Sequence, residues 1–472
     1  MPIALIIYQA YNTTFTENKD IISSGANAEI ALLGSVLLAN KSNSLITFAL
    51  GVPFERLIIW HQLWSYLAVA ASAMHLWCAY TLGELLDSER RLAIIEEMQD
   101  ERQLSGDAPH VWVETMHSRE GLEPDFIKYT YENDVNLTGT LALLCMAALI
   151  IPATVSIMRR LFFEFWYVPH VIFAMGALVL ALIHGSTAVI FAIAWWVIDL
   201  GTRYILMTGY IYPKKASIRN LSGDIVELSF AKPEKFNYSP GQFVMIALPK
   251  IGFAAFHPFT VSSSPHQDIV TIHAKVLGKW TRKLQVLAEK ETEVPFMMEG
   301  AYGSLNIDLN DSDRYKMVLI LSGGIGVTPM YSIGNDLLHQ MMNEKRDIRS
   351  LRFVWSIKSL DMLNAMKDYG TRNPGPTVLD TEKIDALKLD IYLTQKDTDV
   401  EAHSRTITQG RPDLNKIFGE MKDAAIQQGE TSVAVLVCGP ISFIDHAREA
   451  SRQWSDACGG VKFDFHEETF EL

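Results

Sequence analysis

The stretch His61–His75 reads HQLWSYLAVAASAMH, and the stretch His170–His184 reads HVIFAMGALVLALIH. Each is an apolar run with a histidine at either end, fourteen positions apart. Fourteen residues of α-helix turn through about 1400°, about 40° short of four full turns, so both histidines of a run point to roughly one face. They stand about 21 Å apart along the axis, against a hydrocarbon core about 30 Å thick. Two such helices side by side present two stacked His–His pairs. A single histidine in an apolar helix is most often a packed, hydrogen-bonded side chain. Two pairs at one spacing, in two helices of membrane type, are a different matter, because ionisable groups there are costly and mostly functional. Imidazole is a common axial ligand of haem iron. The spacing therefore points to two bis-histidine haems, with His61, His75, His170 and His184 as the iron ligands.

The 472 residues leave room for two to four domains. The composition, 49% hydrophobic, averages an apolar first half and an ordinary second half. A net charge of −13 excludes a nucleic-acid partner, which calls for a basic face. The lipid bilayer is the partner that the apolar half implies. Cys78, Cys145, Cys438 and Cys458 form no CxxC and no disulfide framework. No cleavable signal peptide of standard form is evident. Met1–Tyr11 (MPIALIIYQAY) is apolar but short and lacks a basic region, and it reads as the remnant of a further helix.

The apolar half predicts spans at about 21–40, 57–83, 137–158, 165–187 and 189–210. Residues 84–135 read as a long, mostly acidic loop with one short helix at SERRLAIIEEMQDER. Lys41, Arg56, Arg159, Arg160, Arg203, Lys214 and Lys215 fall on one side, which the positive-inside rule makes cytosolic. His61 and His170 then lie near the cytosol, and His75 and His184 near the outer face. The N-terminus, the 84–135 loop and the sequons at Asn12 and Asn136 fall outside. His110 and His117 lie in that loop and could touch a metal ion, although a solvated acidic loop is the simpler reading.

From Tyr212 the pattern becomes short alternating stretches. ASIRNL, DIVELSF, GQFVMIAL and DIVTIHAKV read as strands of an antiparallel β-barrel. Between them stand His257-Pro258-Phe259-Thr260 and VSSSP. Gly278–Thr281 (GKWT) leads into KLQVLAEK, with Thr281 as the expected N-cap and the helix N-terminus suited to a pyrophosphate. The last third alternates strands and helices. YKMVLILS ends in Gly323-Gly324-Ile325-Gly326-Val327-Thr328-Pro329-Met330, a strand, glycine turn and helix of the kind that binds nucleotides at the carboxyl end of an open sheet. SVAVLVC ends in Cys438-Gly439-Pro440.

Together these motifs resemble the ferric reductase and NADPH oxidase superfamily, most closely a fungal-type ferric-chelate reductase, over roughly residues 30–472. KSNSLITFALGVPFERLIIWH and RRLFFEFWYVPH resemble its cytosolic turns into the two haem helices. HPFT resembles its flavin motif, GGIGVTPM and CGP its nicotinamide motifs, TQGRPDL its GRP motif, and FHEETF its C-terminal ending. The resemblance implies a multi-domain fold. Residues 1–27 form an N-terminal segment. Residues 28–211 form an all-α transmembrane haem-binding bundle, with an extracytosolic loop at 84–135. Residues 212–310 form an antiparallel β-barrel for FAD, and residues 311–472 an α/β Rossmann-like domain for NADPH.

It also implies roles, residue by residue. His61 with His170 and His75 with His184 hold the inner and outer haem. His257, Pro258, Phe259 and Thr260 line the flavin. Gly323, Gly324, Gly326 and Thr328 cradle the dinucleotide phosphates. Cys438 and Gly439 lie near the nicotinamide, and Phe470 covers the flavin ring. Lys358 and Arg411 are the candidates for the NADPH 2′-phosphate, with a solvated strand end and a loop charge as their plainer readings. Ala301 in EGAYG departs from the proline common in the family, and five spans fall one short of its six helices.

The implied activity is electron transfer from cytosolic NADPH, through FAD and two haems, to an acceptor across the membrane. Ferric or cupric chelate reduction for metal uptake leads, at the plasma membrane or else an endomembrane such as the vacuolar one. Both histidine spacings are fourteen, as in ferric reductases, and the loop after His184 (GSTA) is very short. Superoxide production and a non-catalytic truncated relative are the alternatives. The preferred metal and the oligomeric state are not fixed by these motifs.

Overall fold

A computed structural model describes residues 2–15, 20–39, 54–105, 134–154 and 163–202, and most of residues 214–469. In the second half it omits 253–255, 369–372, 380–383, 396–406, 457–459 and a few single positions. The chain forms two compact units, Met1–Thr202 and Arg203–Leu472.

Six helices make up the described part of the first unit: α1 (Pro2–Phe15), α2 (Ile21–Leu38), α3 (Phe54–Ser105), α4 (Asp134–Thr154), α5 (Phe163–His184) and α6 (Ala188–Gly201). Stretches within α2, α3 and α5 are long and apolar enough to cross a membrane: Ile21–Leu38, Leu57–Leu82 and Tyr167–His184. Their outward faces are greasy. Ile59 is 65% and Ile172 63% exposed, as lipid contact requires. The inward faces are small. Ser24, Asn27, Ala31 and Ser35 are the buried residues of α2, spaced three to four apart along one stripe. That stripe lets α3 approach closely: a Cβ on Gly34 would fall 2.5 Å from the Trp64 ring.

Two expectations change here. The helix expected at SERRLAIIEEMQDER is present, but residues 84 to 105 form it as an unbroken continuation of α3 and not as a separate helix in a polar loop. Loss of hydropathy ends a span, but the Glu-, Arg-, Leu- and Ala-rich residues there are strong helix formers, so the helix persists. Residues 106–133, with His110 and His117, lie outside the described residues, as do the orienting cations Lys41, Arg159, Arg160 and Arg203.

The apolar N-terminal stretch is also more than a remnant. It forms α1, which packs on α2 and α3. The last turn of α1 reaches the His75 end, where Cys78 Sγ donates to Thr13 O at 3.5 Å. Both sequons fall inside helices. The Asn136 amide nitrogen is buried in α4, which closes it to a glycan.

The second unit begins with a barrel of two antiparallel sheets. One has the order β5-β2-β1-β6 and the other β4-β3-β7. The strands are β1 (Lys215–Leu221), β2 (Ile225–Ala231), β3 (Phe243–Ala247), β4 (His257–Thr260), β5 (Ile269–Lys275), β6 (Glu293–Pro295) and β7 (Met297–Tyr302), with α7 (Lys279–Lys290) after β5. Val226, Leu228, Val244, Ile246, Val270 and Ile272 fill its core.

A parallel sheet follows: β8 (Met317–Gly323), β9 (Ser350–Ile357), β10 (Leu387–Leu393), β11 (Ile407–Gln409), β12 (Ser432–Cys438) and β13 (Lys462–Glu468). Its spatial order is β11-β10-β9-β8-β12-β13, and every pairing is parallel. The helices α8 (Val327–Met342), α9 (Leu360–Asp368), α10 (Leu414–Gln427) and α11 (Ile441–Trp454) alternate with the strands. Such strands are buried on both faces, and β8 accordingly has no exposed residue.

Barrel and sheet are tied together through the VSSSP stretch. Ser264 Oγ donates to Ser332 O and Ser332 Oγ donates to Ser263 O, each at 2.7 Å. His266 stacks on His339 of α8 with ring centroids 3.8 Å apart. The serines after HPFT thus serve the junction between barrel and sheet.

Candidate functional site

In the first unit the four histidines meet in two pairs. His75 and His184 face each other with ring centroids 6.0 Å apart and planes at 79°. His170 is a near neighbour of His61. Two imidazoles bound to one metal from opposite sides stand roughly 6 Å apart, given metal–nitrogen bonds of about 2 Å and the ring radius. The outer pair already has that separation.

The donor chemistry agrees. His61 Nδ1 lies 2.9 Å from the Ser35 carbonyl oxygen, and His184 Nδ1 lies 2.7 Å from that of Val135. A carbonyl only accepts, so each Nδ1 carries the proton and each Nε2 keeps its lone pair for a metal. His75 Nδ1 lies 2.9 Å from Ser24 Oγ. That hydroxyl spends its proton on Ile21 O at 2.9 Å, so it too accepts. Haem iron fits these three imidazoles, whose Nε2 atoms are left as donors.

Glycines make room for the rings. A Cβ on Gly139 would lie 2.6 Å from His184 Cε1, and one on Gly25 would lie 3.2 Å from His75 Cε1. The sequence gives no signal for these glycines or for the serines, because nothing in it marks a helix residue as facing an imidazole on another helix.

In the second unit, HPFT forms β4, hydrogen-bonded to β3 with Phe259 opposite Val244 and His257 opposite Ile246. His257, Pro258 and Phe259 are half-buried, and Thr260 is buried. Trp280 joins them, its ring centroid 4.6 Å from that of His257 and 5.5 Å from that of Phe259. Its Nε1 is buried with no acceptor among the described residues. An acceptor on bound FAD would satisfy that nitrogen, so the site fits the cofactor. The GKWT motif is legible in the sequence, but its capping logic points to Thr281 and misses the tryptophan.

Thr281 is not the N-cap. Gly278 holds that position, and Thr281 Oγ1 accepts from the Leu277 and Gly278 N–H groups at 3.0 Å each. The hydroxyl shapes the turn, and the anion-binding capacity of the site rests on the free N–H groups that open any helix.

The nucleotide end lies where the parallel sheet reverses its order. From β8 the chain runs outward through β9, β10 and β11 on one side and through β12 and β13 on the other. Ligands of open α/β sheets bind at such switch points, beyond the carboxyl ends of the strands. Gly323 closes β8, Gly324–Gly326 make one 3₁₀ turn, and α8 begins at Val327.

The glycines there divide their roles. A Cβ on Gly326 would lie 2.6 Å from Cys438 O, and one on Gly323 would lie 2.7 Å from Pro440 Cδ. A Cβ on Gly439 would lie 3.0 Å from Gly323 Cα. These three let the ends of β8 and β12 touch. Gly324, at φ +57°, has open space around it. Trp355 Nε1 donates to its carbonyl at 2.9 Å and anchors the turn. Thr328 is buried, and its hydroxyl donates to Ile325 O at 3.1 Å.

Cys438 ends β12 in register with Ser322 of β8 and Glu468 of β13. Burial, reinforced by the Glu468 carboxylate, pushes its thiol above the ordinary range, so it stays protonated. Lys358 is exposed one residue past β9, and Arg411 is exposed two past β11. Ile357, Leu393 and Gln409 share one register row, so both cations stand at the same carboxyl edge as Gly324. Phe470 lies outside the described residues.

Comparison with known proteins agrees with this division. Residues 24–182 match the family described as ferric reductase like transmembrane component, which is haem-binding in the family. Residues 211–327 match an FAD-binding domain, and residues 315–452 a ferric reductase NAD binding domain. The chain is 26% identical to the heavy chain of a superoxide-generating NADPH oxidase from Dictyostelium discoideum, with 92% of this chain and 87% of that one covered. It is 24% identical to human dual oxidase 1, covering 98% of this chain but 31% of that much longer protein. A solved ferredoxin NADP+ reductase from Neisseria gonorrhoeae, with bound FAD and NADP, aligns over 53% of this chain and 97% of its own, at 12% identity and a TM-score of 0.38. The protein is a multi-pass membrane oxidoreductase with FAD and NAD(P)H domains, and it belongs to the ferric reductase and NADPH oxidase superfamily.

Proposed function

We propose that the protein takes electrons from NADPH on the cytosolic face and delivers them to a ferric or cupric chelate on the other side of a plasma or vacuolar membrane. His61 with His170 and His75 with His184 hold two haems b in this reading, and β4 with Trp280 holds FAD. Bound FAD supplies the conversion of a two-electron hydride into single electrons, and bound haem supplies single-electron carriage.

The chain's own residues do the rest. The glycine turn after β8 and the N-terminus of α8 bind the dinucleotide phosphates. Lys358 and Arg411 select the 2′-phosphate. The neutral Cys438 packs beside the nicotinamide, where a thiolate would compete as a nucleophile, and Phe470 covers the flavin. The observation that carries the reading is the outer histidine pair, whose ring separation and Nδ1 partners leave two Nε2 lone pairs for one metal.

A metal chelate is favoured as acceptor by the equal histidine spacings and by the three residues, Gly185–Thr187, that separate α5 from α6. So short a connection leaves the outer end of the bundle open to a bulky ligand. Dioxygen is the second reading, favoured by the relatives named as superoxide-generating oxidases. NADPH-driven reduction of a ferric chelate by membranes containing the protein separates the two. Reduction indifferent to superoxide dismutase is the expected result, and reduction abolished by the dismutase overturns it in favour of dioxygen. A reduced-minus-oxidised spectrum without b-type haem would leave only a non-catalytic family member.

A further inference from the structure

The two ligand histidines of α3 are held by one neighbouring helix, α2, but not by the same kind of group. His61 Nδ1 donates to a backbone carbonyl, that of Ser35. His75 Nδ1 donates to a side chain, the Ser24 hydroxyl. Ser24 Oγ in turn donates to Ile21 O one turn back. The chain His75 Nδ1–H, Ser24 Oγ–H, Ile21 O is thus a two-step relay that ends on the first turn of α2. Asp20 pins that turn by accepting from the Ile22 and Ser23 N–H groups at 3.2 and 3.0 Å. Gly25, next to Ser24, leaves the space in which the imidazole sits.

The inner histidine has a firmer frame. Ser65 Oγ donates to His61 O at 2.7 Å, and the Ser35 and Ser65 hydroxyls meet at 2.6 Å. His61, Ser35 and Ser65 therefore form a closed ring of hydrogen bonds between the two helices. The group that touches His61 Nδ1 is main chain, which no substitution removes. Val135 O does the same for His184. Of these three imidazole nitrogens, only that of His75 rests on a side chain.

We propose that Ser24 is a positioning residue for His75, fixing its Nδ1–H tautomer and setting the electron donation of its Nε2, and that it thereby tunes the outer haem alone. The inference rests on the two-haem reading above and adds to it a named residue and a direction. Accepting a hydrogen bond from the distal N–H of a ligand histidine makes the ligand more basic. A more basic ligand favours the ferric state and lowers the midpoint potential. Removing the acceptor raises it. An outer centre held low by Ser24 drives transfer to weakly oxidising metal chelates.

The test is anaerobic potentiometric titration of the haem α-band in membranes containing the full chain, for wild type, Ser24→Ala and Ser24→Thr. Wild type is expected to titrate as two b-type components. Ser24→Ala is expected to shift one component upward and leave the other in place, and Ser24→Thr, which keeps a hydroxyl, to return it toward wild type. Loss of one haem in Ser24→Ala with its recovery in Ser24→Thr also supports a positioning role. Full haem content with an unshifted titration, equal movement of both components, or failure of threonine to restore the wild-type value overturns the proposal. Absence of b-type haem from wild-type membranes is a separate outcome, which overturns the two-haem reading itself.

Discussion

Gly139→Ala puts the outer histidine pair to a quantitative test. Gly139 lies inside α4, where alanine is favoured over glycine by about 1 kcal/mol, so helix propensity alone predicts a more stable protein. The structure predicts the reverse for the cofactor. The new Cβ would lie 2.6 Å from His184 Cε1 and 2.8 Å from Nδ1, where 3.4 Å is the onset of ordinary contact. The ring must retreat by about 0.8 Å, or the helices must part at a cost of about 1–3 kcal/mol. Retreat would stretch the 2.7 Å bond from Nδ1 to Val135 O to about 3.5 Å, beyond useful hydrogen bonding. It would also exceed the roughly 0.2 Å tolerance of a metal–ligand distance several-fold.

Gly25→Ala provides the graded comparison. Its Cβ would sit 3.2 Å from His75 Cε1, short by only about 0.2 Å, which a slight ring tilt absorbs. The assay is haem per polypeptide by pyridine haemochromogen, with FAD content as the control for the second unit. Gly139→Ala should retain FAD and fall to about half the wild-type haem, while Gly25→Ala keeps nearly all of it. Full haem and unchanged spectra in Gly139→Ala would refute the placement of His184 as an iron ligand.

Further predictions concern the second unit. Lys358→Ala and Arg411→Ala should each raise KM for NADPH about ten- to a hundredfold, the worth of one charge-assisted hydrogen bond, and leave KM for NADH unchanged. Equal effects on both nucleotides would place these cations away from the 2′-phosphate. Cys438, buried with its thiol pushed upward, should resist iodoacetamide at pH 8 in the folded protein and react only on unfolding. A thiol whose pKa is raised on folding contributes stability that is fully present below the unfolded value of about 8.5 and is lost as pH rises beyond it. The thermal midpoint of detergent-solubilised protein should therefore fall from about pH 9 upward, and Cys438→Ser should flatten that fall. Rapid alkylation at pH 7.5 would contradict the burial.

Much of this molecule is written in local pattern. The histidine spacing, the apolar runs around it and the strand–glycine–helix turn after β8 each depend on residues a few positions apart. Helical and strand periodicity make such patterns visible before any folding is known. The same locality explains the errors. A hydropathy window of about 20 residues passes over a helix of 14, so α1 reads as a remnant. A window that measures apolarity stops where α3 leaves its apolar stretch, although the helix runs on to Ser105.

Only the tertiary structure decided which groups serve the imidazoles. Ser24, Gly25 and Ser35 precede their histidines by 26 to 51 positions, and Val135 and Gly139 precede His184 by 49 and 45. No short-range pattern links residues so far apart. Nor could a sequence separate the glycines of the GGIGV turn, since each lacks a side chain for its own reason. Gly323 and Gly326 are required because two parallel strands end in contact, and Gly324 because the backbone turns there through positive φ. The sequence by itself determined the ligand types, their periodicity and the order of the domains. Packing determined the tautomers of His61, His75 and His184 and the spatial role of the glycines beside them, because both depend on the atom that another element brings near.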